Sequence, residues 1–237
     1  MNKIVTITIQ ARSTSKRFPD KVNALIGNKT VLQRIVESCN NAAEYLNRQT
    51  FRSGFHVNVV VCCPVGDKIS KKYSGSFEII EGDENDVLSR YVLVANKKNS
   101  DYLVRVTADC PLIPSFVVSS LVMKAVYNNY DYISNVESDC RTTPDGWDCE
   151  VISRGLLNHI NSVAKDKYDR EHVTTYARKN KRGWRHAIVV NHLDLSSIKL
   201  SVDTQEEYER IKKEYDLVQE KLARAIEIFG DKNVHRL

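Results

Sequence analysis

The feature that most constrains the fold is the regular alternation of short β-branched runs with helical patterns in the first half of the sequence. The runs that predict strands are residues 3–10, 57–63, 77–80 and 102–107. The helical patterns begin at Thr30, after Asp86 and at Ser115. Alternation of this kind is typical of a mostly parallel sheet that carries helices on both faces. The predicted fold class is therefore α/β.

The second half of the sequence departs from this alternation. Its strand-like runs are residues 130–135, 149–152 and 184–190, and residues 165–186 are crowded with charge. A change of pattern after a regular half predicts a small β/α segment inserted into a shared scaffold.

Two capping boxes predict where helices begin. Thr30 is followed three residues later by Gln33, and Thr204 is followed by Glu207. The second box opens a long helix whose apolar side chains recur at helical spacing, and we interpret this stripe as core packing. The stripe consists of Tyr208, Ile211, Tyr215, Val218, Leu222, Ile226 and Phe229.

The charge of the chain fits two classes of protein. Lys and Arg number 35 against 30 Asp and Glu, which gives a net charge of +5 over 237 residues. A nucleic-acid-binding protein can carry this excess, and so can an enzyme whose substrates bear phosphates and carboxylates. We favour the enzyme and expect no nucleic-acid partner.

The cysteines and the hydropathy pattern bear on the cellular compartment. The six cysteines stand at positions 39, 62, 63, 110, 140 and 149. None forms a Cys-x-x-Cys pair, so the spacing suits neither a zinc site nor a disulfide framework and favours reduced thiols. No apolar run approaches the length of a membrane span, and the first residues do not resemble a signal peptide. We expect a cytoplasmic protein with no membrane partner.

The loop after the first strand could neutralise a polyphosphate. It lacks the spacing of a Walker P-loop but combines small hydroxyl residues with four cations. The cations are Arg12, Lys16, Arg17 and Lys21. Such a loop can hold phosphates and stabilise departing pyrophosphate. The alternative is an ordinary solvated basic loop.

Two carboxylates stand at places where a ligand could bind. Asp109 follows the fourth strand, and ligands of parallel sheets bind beyond the carboxyl ends of the strands. Asp203 follows a short apolar run and precedes the long helix. Together they could hold Mg²⁺, which prefers carboxylates and phosphate oxygens. The alternatives are a turn residue for Asp109 and a favourable helix N-terminal charge for Asp203.

Six segments in order resemble a known family. They are QARSTSKRFPDK, GDENDVLSRY, RVTADCPLI, TTPDGWDCEV, YDREHVTTYARKN and LSVDTQEEYERI. They resemble the cytidylyltransferases of the spore-coat polysaccharide type, relatives of the enzymes that activate Kdo and nonulosonic acids with CTP. The resemblance implies a Rossmann-like nucleotide-diphospho-sugar transferase fold, with the triphosphate on the Arg12–Lys21 loop and Mg²⁺ on Asp109 and Asp203. The glycines common in that loop in relatives are replaced here by Ser13, Thr14 and Ser15.

The resemblance leads to a set of expected site residues in one domain spanning residues 1–237. We expect Arg12, Lys21 and Asp109 to be catalytic. The expected nucleotide-binding residues are Gln10, Ala11, Arg12, Ser13, Lys21, Asp83, Arg90, Thr107 and Ala108. The expected acceptor-binding residues are Asp145, Glu150, Arg170, Glu171 and His172. We expect residues 136–190, approximately, to form the inserted segment. This segment would contact either the acceptor or another subunit, and a homodimer is one option.

The predicted function is transfer of CMP from CTP to a small anionic acceptor, a sugar acid or phosphorylated metabolite, in surface polysaccharide or glycoconjugate biosynthesis. Arg170 either holds the acceptor through its guanidinium fork or pairs with neighbouring acidic residues or a helix surface. His172 is either a general base, a hydrogen-bond donor or a structural residue. One alternative function is a glycosyltransferase of related fold, although Asp109 lacks the Asp-x-Asp pattern typical of that class. The other is a non-catalytic nucleic-acid-binding protein that uses residues 165–186.

Overall fold

The computed structural model describes residues 2–49 and 54–229 of the chain, and these form one seven-stranded sheet, a short hairpin and eight α-helices. The strands are β1 (Lys3–Gln10), β2 (Leu25–Ile26), β3 (Lys29–Thr30), β4 (Phe55–Pro64), β5 (Ile79–Gly82), β6 (Tyr102–Thr107), β7 (Tyr132–Ser134), β8 (Glu150–Ser153) and β9 (His186–Ile188). The α-helices are α1 (Val31–Gln49), α2 (Lys68–Lys72), α3 (Val87–Lys98), α4 (Ser115–Asn128), α5 (Arg154–Val163), α6 (Lys167–His172), α7 (Thr175–Lys179) and α8 (Gln205–Phe229).

The sheet is mostly parallel, as predicted. Its strand order is β5-β4-β1-β6-β8-β7-β9. The first four of these strands are parallel, β8 is antiparallel to both of its neighbours, and β9 is parallel to β7. The carboxyl ends of β1 and β6 therefore lie side by side, and the loops that follow them can share one ligand.

The core has two parts because helices cover both faces of the sheet. Val5, Ile7 and Ile9 of β1 are fully buried on the face covered by α1 and α4. Side chains alternate along a strand, so Thr6 and Thr8 face the opposite side, where α3 and α5 build a second core. Both threonines are fully buried, and the Thr6 hydroxyl lies 2.7 Å from that of Ser100. Within the described residues, the helices include none long and apolar enough to cross a membrane.

Both predicted capping boxes are present. The Gln33 backbone N–H donates to Thr30 Oγ1 at 3.2 Å, and the Thr30 N–H donates back to Gln33 Oε1 at 2.9 Å. Thr204 and Glu207 make the same reciprocal pair at 3.2 and 3.0 Å. Satisfying these N–H groups fixes the starts of α1 and α8. The stripe side chains of α8 as far as Ile211 are core residues, whereas Val218 is exposed and those of Leu222, Ile226 and Phe229 lie outside the described part.

The less regular regions differ from the sequence expectations. The third strand occupies 79–82 rather than 77–80, and β9 is limited to 186–188. The loop after β1 contains a 3₁₀ turn at Lys21–Asn23 and the β2–β3 hairpin. The charged stretch contains two short helices, α6 and α7. The Asp166 carboxylate accepts the Tyr168 N–H and so caps the start of α6.

A close backbone contact pairs the segment before α8 with the loop that precedes β8. The Asp145 N–H donates to Ile198 O at 2.9 Å, and the Leu200 N–H donates to Asp145 O at 2.6 Å. Gly146 follows with a φ of +108°, and a Cβ at this position would lie 2.5 Å from the Leu200 carbonyl carbon. A side chain at position 146 is therefore excluded both by the positive φ and by the lack of space. The Thr-Thr-Pro-Asp-Gly motif thus serves as the support for the segment that carries Asp203.

We predict that Gly146→Ala lowers the free energy of unfolding by about 2–4 kcal/mol, because it combines positive-φ strain with a backbone clash. Gly66→Ala is the matched control, since Gly66 also has a positive φ of +74° but has nothing within 4 Å of an added Cβ. Its cost is expected to be only about 1 kcal/mol. Urea denaturation of both variants measures the difference, and equal losses would show that the contact with Leu200 is not restrictive.

We also predict an acid-sensitive anchor at the start of α8. Burial raises the pKa of Glu207, but hydrogen bonds from Lys199 and from the Asp203 and Thr204 N–H groups outweigh it and lower the pKa to about 2. A depressed folded-state pKa stabilises the fold above the unfolded value and loses this contribution as pH falls toward 2. Glu207→Gln should therefore be less stable than the parent at neutral pH, with the two converging in acid. Thermal melts of the parent and of Glu207→Gln, from neutral pH into acid, test this prediction. A difference in stability that does not change with pH would contradict it.

Candidate active site

A cleft of about 750 Å³ lies at the carboxyl ends of β1 and β6. The predicted site residues that line it are Gln10, Ala11, Arg12, Lys21, Arg90, Thr107, Ala108, Asp109, Glu171, His172 and Asp203. Arg105, Glu84 and Asn85, which are not among the predicted site residues, also line it. Ser13, Asp83, Asp145, Glu150 and Arg170 are not part of the lining.

Asp109 and Asp203 come together although 94 positions separate them in the sequence. The Val202 N–H donates to the Asp109 backbone carbonyl at 2.7 Å, which places the next residue, Asp203, beside Asp109. The Lys21 ammonium contacts both carboxylates, at 3.1 Å from Asp203 Oδ1 and 3.9 Å from Asp109 Oδ2. It also donates to Val202 O at 2.7 Å. The two carboxylates therefore form one anionic locus that already interacts with a cation.

A hydrogen-bond chain fixes the turn that carries Lys21. Asp20 adopts a left-handed conformation with φ +59°, and its carboxylate accepts the Asn23 side-chain N–H at 2.6 Å. The Tyr73 hydroxyl donates to Asn23 Oδ1 at 2.7 Å and lies 2.9 Å from Thr30 Oγ1. Because this chain ties the turn to α1 and to the segment after α2, Lys21 reaches the cleft from a rigid base.

The earlier part of the basic loop is held by a residue that the sequence analysis missed. Asp67, which is 8% exposed, accepts the Ser13 N–H at 2.8 Å and the Ile69 N–H at 3.0 Å. The Ser13 N–H is thus committed to the protein. Arg12 stays about half exposed, 3.9 Å from Glu171. Arg12 is therefore free to reorient, whereas the backbone beneath it is anchored.

A buried ion pair forms the wall of the cleft near β6. Arg105 Nη1 donates to Glu150 at 2.6 Å. Glu150 is 1% exposed and also accepts hydrogen bonds from Tyr132 and Thr174 at 2.5 and 2.7 Å. Burial raises the pKa of Glu150, but Arg105 and these hydrogen bonds outweigh it and hold the pKa below its usual value. Glu150 is inaccessible to a ligand, so it acts on the cleft by orienting Arg105. The signal available in the sequence was an arginine inside the apolar strand 102–107.

A strained turn presents Glu171 and His172 to the cleft. Val173 has φ +57° and ψ −59°, and the Thr174 N–H donates to His172 O at 2.6 Å, which closes a tight three-residue turn. This conformation is unfavourable for a β-branched residue and persists only when the surroundings impose it. Val173 is fully buried in the core under α3 and α5, which provides that constraint.

The His172 imidazole is suited to accept a proton. Burial lowers its pKa; Glu171 opposes the shift and nearby arginines reinforce it. The ring also lies against Tyr168, with a centroid separation of 4.2 Å. Neutral imidazole at neutral pH can act as a base or as a hydrogen-bond partner for a ligand.

Three predicted site residues have structural contacts outside the cleft lining. Arg170 pairs with Asp86 at 2.6 Å and so joins α6 to the start of α3. This placement matches the helix-surface alternative for Arg170. Asp83 accepts the N–H groups of the two residues before α3, at 2.8 Å each. Asp145 supports the 198–200 segment through its backbone.

The donor set of the cleft fits a hard divalent cation. Asp109 and Asp203 supply carboxylate oxygens, and Mg²⁺ binds through one or two carboxylates plus substrate phosphates. Among the described residues, no group of three or more His, Cys, Asp or Glu side chains gathers in the manner of a self-contained metal centre. Five of the six cysteines are buried, and all six are free thiols.

Comparisons with known proteins identify the family. The profile of the cytidylyltransferase family matches residues 6–235. The spore coat polysaccharide biosynthesis protein SpsF of Bacillus subtilis (strain 168) is 28% identical over 223 residues, which is 91% of this chain and 87% of that protein. A solved cytidylyltransferase from Leptospira borgpetersenii serovar Hardjo-bovis (strain JB197) is 28% identical, with a TM-score of 0.76 over 98% of this chain and 99% of that one.

Two more distant structures share the fold. CMP:2-keto-3-deoxy-manno-octonic acid synthetase complexed with CTP is 14% identical, with a TM-score of 0.62 over 92% of this chain and 99% of that chain. Rv0371C from Mycobacterium tuberculosis H37Rv, in complex with manganese, is 15% identical, with a TM-score of 0.53 over 90% of this chain and 99% of that chain. These similarities confirm the Rossmann-like fold. The chain belongs to the cytidylyltransferase family and is a nucleotidyltransferase that uses CTP.

Proposed function

We propose that this enzyme transfers CMP from CTP to a small anionic acceptor, a sugar acid or a phosphorylated metabolite, and releases pyrophosphate. The observation that carries the proposal is the pair of carboxylates, Asp109 and Asp203, joined at the Lys21 ammonium within a cleft bordered by a basic loop. The names of two similar proteins, a spore coat polysaccharide biosynthesis protein and a synthetase for a sugar acid, support a role in surface polysaccharide or glycoconjugate biosynthesis.

The cofactor we assign to the cleft is Mg²⁺, held by Asp109 and Asp203. The donor set of two carboxylates supports this assignment, as does the manganese complex of a protein with the same fold. Bound there, the cation would offset the negative charge of the phosphate oxygens.

Lys21 and the basic loop would hold the triphosphate and stabilise the leaving pyrophosphate. Lys21 is mostly buried, with a side chain 12% exposed, so its charge acts in an environment of low dielectric. Arg12 and Arg17 are more exposed and can turn toward the β- and γ-phosphates. Gln10, Ala11, Thr107 and Ala108 lie along the floor between β1 and β6, where we place the rest of the nucleotide.

The acceptor would enter beside Glu171 and His172. An acceptor hydroxyl needs to lose its proton as it attacks the α-phosphorus, and His172 is the neutral base available at this wall. An acceptor phosphate is already ionised and needs no base. Arg105, oriented by Glu150, would add positive charge on the same side.

Pyrophosphate release tests the proposal directly. The enzyme is incubated with each nucleoside triphosphate, Mg²⁺, and a panel of sugar acids, phosphorylated metabolites and neutral sugars. We expect release with CTP that depends on an anionic acceptor. Turnover of a nucleotide-sugar without pyrophosphate release would support the glycosyltransferase alternative instead, and salt-dependent binding of nucleic acid would support the non-catalytic one.

We predict that Asp109→Asn and Asp203→Asn each lower kcat/KM by at least about 100-fold while the fold remains intact, because each removes an ionised ligand from the cleft. Asp216→Asn is the control, since Asp216 forms an exposed pair with Lys212 on α8. Pyrophosphate release gives kcat/KM for each variant, and circular dichroism shows whether the fold remains intact. Losses below about tenfold in both cleft variants would remove these carboxylates from the metal site.

We predict a loss of about 100-fold or more in kcat/KM for Lys21→Met, because a nearly buried ammonium beside the phosphates acts on charge that grows in the transition state. Lys71→Met on α2 removes the same charge from an exposed position and should change little. The comparison uses kcat/KM for CTP at saturating acceptor. Similar values for both variants would disprove the triphosphate role of Lys21.

A further inference from the structure

The residue that opens α7 uses its hydroxyl in an unusual way. Thr174 stands immediately before α7, where a threonine hydroxyl ordinarily accepts a backbone N–H from the first turn of the helix. Among the described residues the Thr174 side chain makes no such capping bond, and its hydroxyl donates to Glu150 Oε1 at 2.7 Å instead. Thr174 is fully buried. Its hydroxyl therefore ties the start of α7 to the sheet rather than capping the helix.

The acceptor of this bond is a charged group. Arg105 Nη1 donates to the other oxygen of the carboxylate, Glu150 Oε2, at 2.6 Å and stabilises its ionised form. A hydrogen bond to an ionised acceptor is roughly twice as strong as one between neutral groups. Glu150 thus holds Arg105 through one oxygen and Thr174 through the other, so one buried carboxylate is bonded to both walls of the cleft.

The turn before Thr174 needs such a support. Val173 has φ +57° and ψ −59°, a conformation that is costly for a β-branched residue and lasts only where the surroundings impose it. The Val173 side chain is anchored by the core and the Thr174 side chain by Glu150. The Thr174 N–H in turn donates to the His172 carbonyl at 2.6 Å. The backbone position of His172 therefore follows from that of Thr174.

We infer that Thr174 is a positioning residue, whose hydroxyl bond to Glu150 holds the strained turn so that the His172 imidazole faces the cleft beside Arg105. The inference rests on the proposed function, because the role of His172 as a base gives the position of its ring its importance. It also assigns a second task to Glu150, which no ligand can reach: this carboxylate sets the spacing between Arg105 and His172.

The protonation of His172 reports the position of its ring. Burial lowers the pKa of the imidazole, so a ring that moves into water regains a higher pKa. Replacing Thr174 by valine changes none of the charges around the ring, so that a change in the His172 pKa would report movement. The charged groups that face His172 are Glu171 on the same turn, Asp169 on α6, Arg105 on β6, Arg178 on α7 and Arg12 on the basic loop.

The first test titrates His172 by NMR in the protein without substrates. Its signal is the one of the six histidine signals that disappears in His172→Gln. Thr174→Val keeps the shape of the side chain but removes the hydroxyl, and it should raise the His172 pKa toward its ordinary value. Thr174→Ser keeps the hydroxyl and should keep the lowered pKa. Thr6→Val is the matched control, because Thr6 is also fully buried, its hydroxyl lies 2.7 Å from that of Ser100, and it does not line the cleft.

Three results of this titration would overturn the inference. The first is an unchanged His172 pKa in Thr174→Val. The second is a raised pKa in Thr174→Ser, which would show that the methyl group and not the hydroxyl holds the turn, and this result is decisive even if Thr174→Val does not fold. The third is an equal rise in Thr6→Val, which would show a general loosening of the fold.

The second test measures turnover with an acceptor that attacks through a hydroxyl group. Thr174→Val should lower kcat by about tenfold or more while the KM for CTP stays within about twofold, because the base is displaced and the nucleotide subsite is not. Thr174→Ser should recover most of the kcat. An unchanged kcat, or a loss confined to the KM for CTP, would overturn the positioning role. A parent enzyme that releases no pyrophosphate would instead contradict the proposed function, and the titration would still decide the role of Thr174.

Discussion

One backbone hydrogen bond, from the Val202 N–H to the carbonyl of Asp109, organises the cleft. It joins the loop after β6 to the segment before α8 and so turns two distant carboxylates into one locus. The rest of the site depends on it, because the Lys21 ammonium contacts both carboxylates and also donates to the carbonyl of Val202. The segment before α8 packs directly against Gly146, where the two backbones lie too close for any side chain at position 146.

Hydrogen bonds fix the backbone of the loop that borders the cleft, whereas some polar side chains on this loop can change conformation. The Tyr73–Asn23–Asp20 chain and the Asp67 carboxylate hold the loop backbone. Arg12, by contrast, is half exposed and only weakly paired with Glu171. A fixed backbone with adjustable cations is suited to a polyphosphate, because the loop keeps its shape while its charges follow the ligand.

The fold class could be predicted from the sequence for a physical reason, and so could the position of Asp109 just after the end of a strand. Strand and helix periodicity and the capping boxes are local properties, and Asp109 stands at a strand end whose environment follows from topology. The roles of Glu150 and Arg170 were harder to predict. Glu150 is an orienting residue because β8 pairs with β6, and Arg170 is bound to Asp86 because α6 packs on α3, contacts that no local pattern records. Arg105 and Asp67 were missed for the same reason, since their importance comes from partners far away in the chain.

The central claim is that Asp109 and Asp203 act as one site although they belong to separate segments. A double-mutant cycle on CTP affinity in the presence of Mg²⁺ tests it most directly, with Asp109→Asn, Asp203→Asn and the double variant measured by calorimetry. If the two carboxylates share one cation, the double variant should lose little more binding free energy than the weaker-binding single variant. Losses that add fully would show two independent residues and contradict the account.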